Sequence, residues 1–246
     1  MAQLLQHGGI MAEEVEDAGA YRKLKYGHKL IYKPNEWLFV HIPKNGGTSF
    51  AGEMKRMYMG EEKKFDSLGL KIIDIGFNEI HNQASVLKTK YKQLRGCQTV
   101  AIVRNPWARC LSLYTFNCEA AVRPVNIEQP WSKSVHPKLV KDGFKGSWMP
   151  YGHFRDEAIM LNGITCNPDR TWREDDPQYS WLDKGSKVFK LETEMKDFYE
   201  YIGVPKIDKI KNKSKHHDYH LYYDDELRDE IGCFYGHDIN KFNYTF

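Results

Sequence analysis

The sequence lacks any apolar run long enough to cross a membrane. A membrane-spanning helix needs about 18 consecutive apolar residues or more. The longest apolar segments here, Trp37 to Val40 and Thr99 to Val103, are far shorter and are typical of buried strands. The amino terminus also lacks the basic start and apolar stretch of a signal peptide. We therefore expect a cytoplasmic protein with no membrane partner.

Cysteine is also scarce, with five residues in a chain of 246. Their number is odd, their spacing is wide, and no two of them form a CxxC pair. This pattern is typical of free thiols in a reducing compartment rather than of a disulfide framework or a zinc site. We expect no metal cofactor.

Net charge is small, because 36 Lys and Arg residues nearly balance 33 Asp and Glu residues to give +3. Such a balance argues against a nucleic-acid polymer as partner. The first 20 residues hold four acidic and no basic residues, so residues 21–246 carry +7. We predict a poorly ordered leader over residues 1–20 and a single domain over residues 21–246, because no repeat or linker composition divides the chain.

Strand-like and helix-like segments alternate along this domain. The patterns predict strands over residues 37–42, 71–76, 98–103 and 187–191. They predict helices over residues 49–59, 83–94, 107–116, 154–161, 192–202 and 224–235, and an irregular region over residues 117–151. Alternation of this kind favours an α/β fold with parallel strands and right-handed crossovers.

The segment from His41 to Ser49 reads HIPKNGGTS and joins a predicted strand to a predicted helix. A glycine-rich turn before a helix exposes backbone N–H groups and favours negative charge, and Lys44 adds a full positive charge. The ordinary nucleotide-binding loop places its Lys after the last glycine, whereas Lys44 precedes both glycines. The alternative interpretation is a tight turn in which Thr48 or Ser49 caps the helix.

A second motif, VRNPW, starts at Val103 and is followed by Ser112. Arg104 comes directly after a buried strand, where ligands bind in open parallel sheets. Its planar guanidinium suits a phosphate, and Ser112 follows about two turns into the next helix. The alternative is a surface Arg paired with a carboxylate and a helix Ser that faces solvent.

These two motifs together resemble the sulfotransferases that use 3′-phosphoadenosine 5′-phosphosulfate (PAPS). The similarity is greatest to the Golgi-type carbohydrate sulfotransferases and their soluble bacterial, algal and viral relatives. In that branch the 5′-phosphosulfate loop reads roughly HIPK, any residue, GGTS. Its 3′-phosphate element reads roughly VRNPW, with a Ser eight residues after the Arg.

Further stretches extend the resemblance over about residues 37 to 246. Gln178 to Leu182 resembles the family's Gln-x-x-Trp-Leu stretch, and Phe189 to Glu192 resembles its strand that ends in Glu. Asn212-Lys-Ser214, Tyr222-Tyr223 and the segment from Asp238 to Phe246 resemble its carboxyl-terminal part. The two phosphate motifs are the specific matches and the others support them.

The resemblance implies a P-loop-like three-layer fold with a central parallel sheet. It also implies transfer of a sulfuryl group from PAPS to a hydroxyl, or an amine, of a carbohydrate or small-molecule acceptor, with release of 3′-phosphoadenosine 5′-phosphate (PAP). The residues expected to bind the donor are Lys44, Asn45, Gly46, Gly47, Thr48, Ser49, Arg104, Ser112, Asn212 and Ser214. Two alternatives stay open: a nucleotide kinase or NTPase with a variant loop, and a non-catalytic module that binds PAP or another phosphorylated ligand.

Sulfuryl transfer also needs a base for the acceptor, while Lys44 stabilises the leaving phosphate. Our candidate base is His81, which lies between the two motifs, just ahead of a predicted helix. Related enzymes often carry a His with a nearby Ala in this interval. Glu79 and His153 are the alternative bases, and an ordinary surface or capping role for His81 is the other interpretation.

Overall fold

The computed structural model describes residues 28–76, 79–122, 176–206 and 218–246. The predicted leader, the predicted helix over residues 154–161 and the candidate residues His153, Asn212 and Ser214 lie outside these ranges. Within them, the strands are β1 (His28–Lys33), β2 (Trp37–Val40), β3 (Lys71–Ile75), β4 (Gln98–Val103) and β5 (Lys187–Lys190). They form one sheet in the order β3-β1-β2-β4-β5.

The sheet is parallel in the half that carries the two motifs. β2 pairs parallel to β4, with Trp37 opposite Gln98, and β4 pairs parallel to β5, with Val100 opposite Lys187. β1 pairs antiparallel with both β2 and β3. The predicted parallel pairing is confirmed for β2, β4 and β5, and an antiparallel pair extends the sheet beyond it.

Seven α-helices surround this sheet in the described part of the chain. They are α1 (Gly47–Gly60), α2 (Glu62–Ser67), α3 (Ala84–Lys90), α4 (Pro106–Val122), α5 (Met195–Ile202), α6 (Asp225–Phe234) and α7 (Gly236–Phe242). Short 3₁₀ helices occur at Lys92–Leu94, Gln178–Trp181 and Tyr219–Tyr222. None of the helices described is both long and apolar enough to cross a membrane.

Side chains of each strand alternate between the two faces of the sheet, and both faces are covered. Trp37 and Phe39 of β2 join one core, which α1 and α5 complete with Phe50 and Phe198. Leu38 and Val40 join the opposite core, together with Ala84 and Leu87 of α3 and with Trp181 and Phe242. Two cores on opposite faces of one sheet make a three-layer α/β fold, as predicted.

The boundaries of several predicted helices differ from those in the structure. α1 begins two residues earlier than expected, at Gly47, and α5 begins later, at Met195. α4 continues to Val122, so the first residues of the region predicted to be irregular are helical. The short helices α2 and α7 had no clear periodic signal.

β1 was not predicted, because its apolar run is only three residues long and lies between lysines. Lys29 is nevertheless 4% exposed. Its ammonium pairs with Asp74, the residue directly opposite on β3. A lysine is buried here because a partner on another strand offsets its charge, and the linear sequence does not show that pairing.

Phe198 of α5 should be a main contributor to stability, because it is fully buried and its ring packs against those of Phe39, Phe50 and Phe189. We expect Phe198→Ala to lower the free energy of unfolding by about 3–5 kcal/mol, measured by urea denaturation. Leu221→Ala, at a side chain 69% exposed, should change it by less than about 0.5 kcal/mol. Equal losses in the two variants would contradict this description of the core.

Candidate functional site

The loop between β2 and α1 lies at the carboxyl end of the parallel strands. Its backbone is left-handed at Lys44 and Gly46, with φ of 67° and 80°. The N-cap of α1 is Gly46, which has no side chain to cap the first turn. The interpretation in which Thr48 or Ser49 caps the helix is wrong, because both lie inside α1. The positive end of the helix dipole therefore faces the loop and favours an anion.

Both glycines of this loop are required by close packing. A Cβ on Gly47 would lie 2.2 Å from Cδ2 of His41, so the helix start rests directly on the imidazole. A Cβ on Gly46 would lie 2.9 Å from Cδ1 of Leu191, and the positive φ there disfavours other residues. The loop can approach these side chains, and equally a ligand, only because it carries no side chains at these two positions.

Lys44 connects the first motif with the second. Its carbonyl oxygen accepts a hydrogen bond of 3.1 Å from Nη1 of Arg104. Its ammonium lies 3.9 Å from the ring centroid of Phe116 on α4. The loop after β2 and the residue after β4 are thus in direct contact, as expected for neighbouring parallel strands.

Arg104 is mostly buried, and this burial lowers the pKa of its guanidinium, partly offset by the negative charge of Glu192. Its one side-chain hydrogen bond within the described residues goes to Lys44. The other guanidinium N–H groups have no protein partner in this part of the chain. The interpretation of Arg104 as a surface residue paired with a carboxylate therefore does not fit, whereas a bound anion would satisfy these donors.

Ser112 lies about two turns into α4 and is 5% exposed. It therefore does not face solvent, which was the alternative interpretation. Arg109 precedes it by one helical turn and is 2% exposed, so both lie on the buried side of α4. The role of Ser112 in binding the donor stays a prediction.

Gln178 joins Asn45 to Arg104. Its Oε1 accepts from Nδ2 of Asn45 at 2.7 Å and from the backbone N–H of Arg104 at 2.8 Å. Its Nε2 donates to the carbonyl oxygen of Arg104 at 2.8 Å. Asn45 also donates to the carbonyl oxygen of Ile102 in β4 at 2.9 Å. Asn45 is 1% exposed, and these two bonds hold the loop on the sheet. Its expected contact with the donor stays a prediction.

Two further polar residues lie near the site, and the sequence pointed to them only as parts of longer motifs. Glu192, just after β5, accepts from the backbone N–H of Asn105 through Oε1 at 2.8 Å and from the hydroxyl of Tyr244 through Oε2 at 3.2 Å. Asn105 in turn donates to the carbonyl oxygen of Thr245 at 2.8 Å. Glu192 stood in a stretch that supported the family resemblance, and its position after a buried strand was the available signal.

Two buried side chains of opposite charge, Arg109 and Asp238, also support the loop. Arg109 donates through Nε to the carbonyl oxygen of Pro43 at 3.2 Å and through Nη1 to that of Asp176 at 2.9 Å. Asp238 is fully buried and accepts from the backbone N–H groups of Gln178 and Tyr179 at 2.6 and 2.9 Å. Burial raises the pKa of Asp238, while these bonds and the charge of Arg109 oppose that shift. No sequence signal pointed to Arg109.

His81 lies beside the start of the loop. Its Nδ1 is 2.9 Å from the carbonyl oxygen of His41, and the two imidazole centroids are 4.4 Å apart. A carbonyl oxygen only accepts, so Nδ1 carries the proton and Nε2 of neutral His81 carries the lone pair. The indole Nε1 of Trp181 donates to the carbonyl oxygen of His81 at 2.7 Å. This tautomer is the one that a general base acting through Nε2 requires.

Glu79, the first alternative base, already has several partners. Its Oε2 accepts from the hydroxyl of Tyr91 at 2.9 Å and from the backbone N–H of Gly76 at 3.2 Å, and its other oxygen pairs with Lys90. These contacts already occupy both oxygens of the carboxylate. They favour His81 over Glu79.

Burial keeps the imidazole of His41 neutral. Burial holds the pKa of His41 well below its usual value, and the neighbouring groups His81, His28 and Lys44 lower it further. His41 is 6% exposed, and its Nδ1 has no hydrogen-bond partner among the described residues. A proton added to this ring would place a buried charge beneath a loop that is already positive.

Comparison with known proteins adds little to what the residues of the site show. No family model matches the chain, and no curated protein matches it. The structure is similar, over 64% of its length, to 56% of the crystal structure of a sulfotransferase from Alicyclobacillus acidocaldarius, with 16% identity and a TM-score of 0.26. At this level the likeness carries no conclusion about activity, which has to rest on the residues of the site.

The neutral His41 predicts that the protein loses stability in mild acid. Below a pH of about 6.5 the unfolded chain binds a proton at His41 that the folded chain does not. The free energy of unfolding therefore decreases as the pH is lowered, by up to about 1.4 kcal/mol per pH unit. His41→Gln should flatten this decline between pH 7 and pH 5 in urea denaturation. His28→Gln should flatten it less, because the pKa of His28 is lowered less strongly. An unchanged pH dependence in His41→Gln would contradict the assignment.

Proposed function

We propose that the protein is a PAPS-dependent sulfotransferase, which transfers a sulfuryl group to a hydroxyl, or an amine, of a carbohydrate or small-molecule acceptor and releases PAP. The observation that carries this proposal is the contact between the two anion motifs. Arg104 is mostly buried and has N–H donors that no described residue accepts, and its guanidinium bonds directly to Lys44 in the loop at the start of α1. A ligand with two separated phosphate groups fits two such adjoining positive sites.

The residues of the loop would bind the 5′-phosphosulfate end of the donor. Backbone N–H groups at Gly47 and Thr48, with the hydroxyls of Thr48 and Ser49, can donate to the phosphate oxygens at the helix start. The ammonium of Lys44 can stabilise the bridging oxygen as it becomes negative during transfer. Arg104 and Ser112 would hold the 3′-phosphate, and Asn212 and Ser214 are expected to add contacts from the carboxyl-terminal part.

His81 would act on the acceptor. Its Nε2 removes the proton as the acceptor oxygen or nitrogen attacks sulfur, in line with the departing phosphate oxygen. The new bond to sulfur forms while the bond between sulfur and the phosphate oxygen breaks, so the electron pair leaves on PAP. The proton stays on His81, and Lys44 offsets the charge that develops on PAP.

A nucleotide kinase or NTPase fits these residues less well. Its loop Lys follows the glycines and its neighbouring strand ends in a carboxylate that holds magnesium. Here Lys44 precedes the glycines, and β4 is followed by Arg104. A non-catalytic PAP-binding module shares the donor site, and only turnover distinguishes it from the proposed enzyme.

Thermal denaturation with PAP, ATP, magnesium-ATP and GTP separates the first two candidates. A rise in Tm specific to PAP supports the proposal, and one specific to magnesium-ATP contradicts it. Incubation with PAPS labelled with ³⁵S and a panel of glycans and amines then tests turnover. Binding of PAP without transfer to any acceptor, or to water, would favour the non-catalytic module.

Arg104→Met should weaken PAP binding by about 10–100-fold, because it removes charge-assisted hydrogen bonds of about 1.5–3 kcal/mol. Isothermal titration calorimetry gives the dissociation constant. The matched control is Arg56→Met on α1, which removes an exposed guanidinium paired with Glu53. The dissociation constant of this control should change by less than about twofold. Equal affinities of wild type and Arg104→Met would overturn the assignment of Arg104.

His81→Ala should bind PAP almost normally but lose about 10²–10⁴-fold in the rate of transfer. Steady-state release of ³⁵S-labelled product measures the rate, and calorimetry measures binding. The control is His220→Ala, which removes an exposed imidazole paired with Asp218. A His81→Ala variant with the wild-type rate would show that another group is the base.

A further inference from the structure

The 3₁₀ segment Gln178–Trp181, here called the brace, contacts all three parts of the candidate site. Gln178 bonds to the loop between β2 and α1 through Asn45, and to both backbone groups of Arg104. Trp181, three residues further on, donates to the carbonyl oxygen of His81. Both side chains are fully buried. None of these partners is close to the brace in sequence, so the contacts are tertiary.

The brace is itself fixed from the opposite side. Asp238 of α7 accepts from the backbone N–H groups of Gln178 and Tyr179, one with each carboxylate oxygen. The guanidinium of Arg109 holds the carbonyl oxygen of Asp176, just before the brace. A segment secured by two buried charged groups is rigid enough to position what it contacts.

We infer that the brace positions the donor-binding residues and the candidate base through two separate side chains. Gln178 sets the geometry of Asn45 and Arg104, and Trp181 sets the backbone position of His81. This inference rests on the proposed function for its donor-binding half, whereas its His81 half concerns the chain alone. Both residues are positioning residues, because the contacts described here reach the site only through other residues.

The two side chains act on different groups, which predicts two different defects. Gln178 has no described bond to His81, so its loss should affect nucleotide affinity and leave the imidazole unchanged. Trp181 has no described bond to Asn45 or Arg104, although its ring lies 5.6 Å from the guanidinium of Arg109. Loss of the indole N–H alone, with an aromatic ring kept, should therefore affect the imidazole and leave affinity unchanged. A merely structural role would predict parallel defects that follow the loss of stability.

The test uses the full chain with two readouts that do not need an acceptor. Calorimetry with PAP gives the dissociation constant. ¹⁵N spectra of histidine-labelled protein give the tautomer of His81, with its signal assigned from His81→Asn. The variants are Gln178→Met, which keeps the side-chain length but loses three hydrogen bonds, and Trp181→Phe, which keeps an aromatic ring but loses the N–H donor.

Each variant has a matched control: Trp37→Phe for the reduced ring volume of Trp181→Phe, and Gln98→Met for the lost amide of Gln178→Met. Trp37→Phe alters a buried indole in β2 whose Nε1 has no partner in the described residues. Gln98→Met removes an amide at the opposite end of β4 that bonds to Gly185 and Tyr201. Neither residue lies at the candidate site, so both should match wild type in affinity and in the His81 tautomer.

We expect Gln178→Met to weaken PAP binding about tenfold or more, because three hydrogen bonds that fix Asn45 and Arg104 are lost. His81 should still be protonated at Nδ1. We expect Trp181→Phe to change PAP affinity by less than about twofold while its His81 signals move toward a mixture of tautomers. If both variants show both defects in proportion to their loss of stability, or if neither shows its own defect, the inference is wrong.

If the proposed function is wrong, the same experiments give a result that differs from failure of the inference about the brace. Wild-type protein that does not bind PAP would refute the proposed function and the donor-binding half, while the His81 spectrum of Trp181→Phe still decides the other half. If Gln178→Met does not fold, Asn45→Ala removes the same bond from its other end. It should weaken PAP binding without changing the His81 tautomer, and unaltered affinity would refute the Gln178 half.

Discussion

Parallel pairing of β2 with β4 is the constraint on which the candidate site depends. It brings the ends of two strands, about 60 residues apart in sequence, to the same edge of the sheet. The backbone after β2 then turns into α1, and the residue after β4 is Arg104, whose guanidinium reaches the carbonyl oxygen of Lys44. An antiparallel arrangement of these strands would place the two positive groups at opposite ends of the strands.

Burial then decides which polar groups belong to the fold and which remain for a ligand. Asn45, Gln178 and Asp238 are almost fully buried, and they bond to one another or to backbone groups, as the interior of a protein requires. Of their side-chain polar atoms, only Oδ1 of Asn45 has no partner among the described residues. Arg104 is also largely buried, yet most of its donors lack a partner in the described residues. These N–H groups are not enclosed by the described residues, so they can bond to solvent or to the anion that we propose as the ligand.

The sequence predicted the strands of the parallel half well, because each is a short apolar run that ends at a turn signal. β4 matches residue for residue, and the loop after β2 was identified by its glycines and Lys44. The support beneath the site was not predictable in the same way. Gln178, Arg109 and Asp238 act through contacts with residues 60 or more positions away, and a single sequence contains no information on such pairs. β1 was missed for the same reason, since Lys29 is stabilised by Asp74 on another strand.

Lys44 adopts a left-handed backbone conformation that glycine takes up with less strain. For a residue with a side chain this conformation costs about 1–2 kcal/mol, so the loop keeps its charge at the expense of folding energy. Directed evolution toward heat resistance that screened folding alone would therefore favour glycine at position 44. The resulting protein would resist heat better and would have lost the positive charge of the loop after β2.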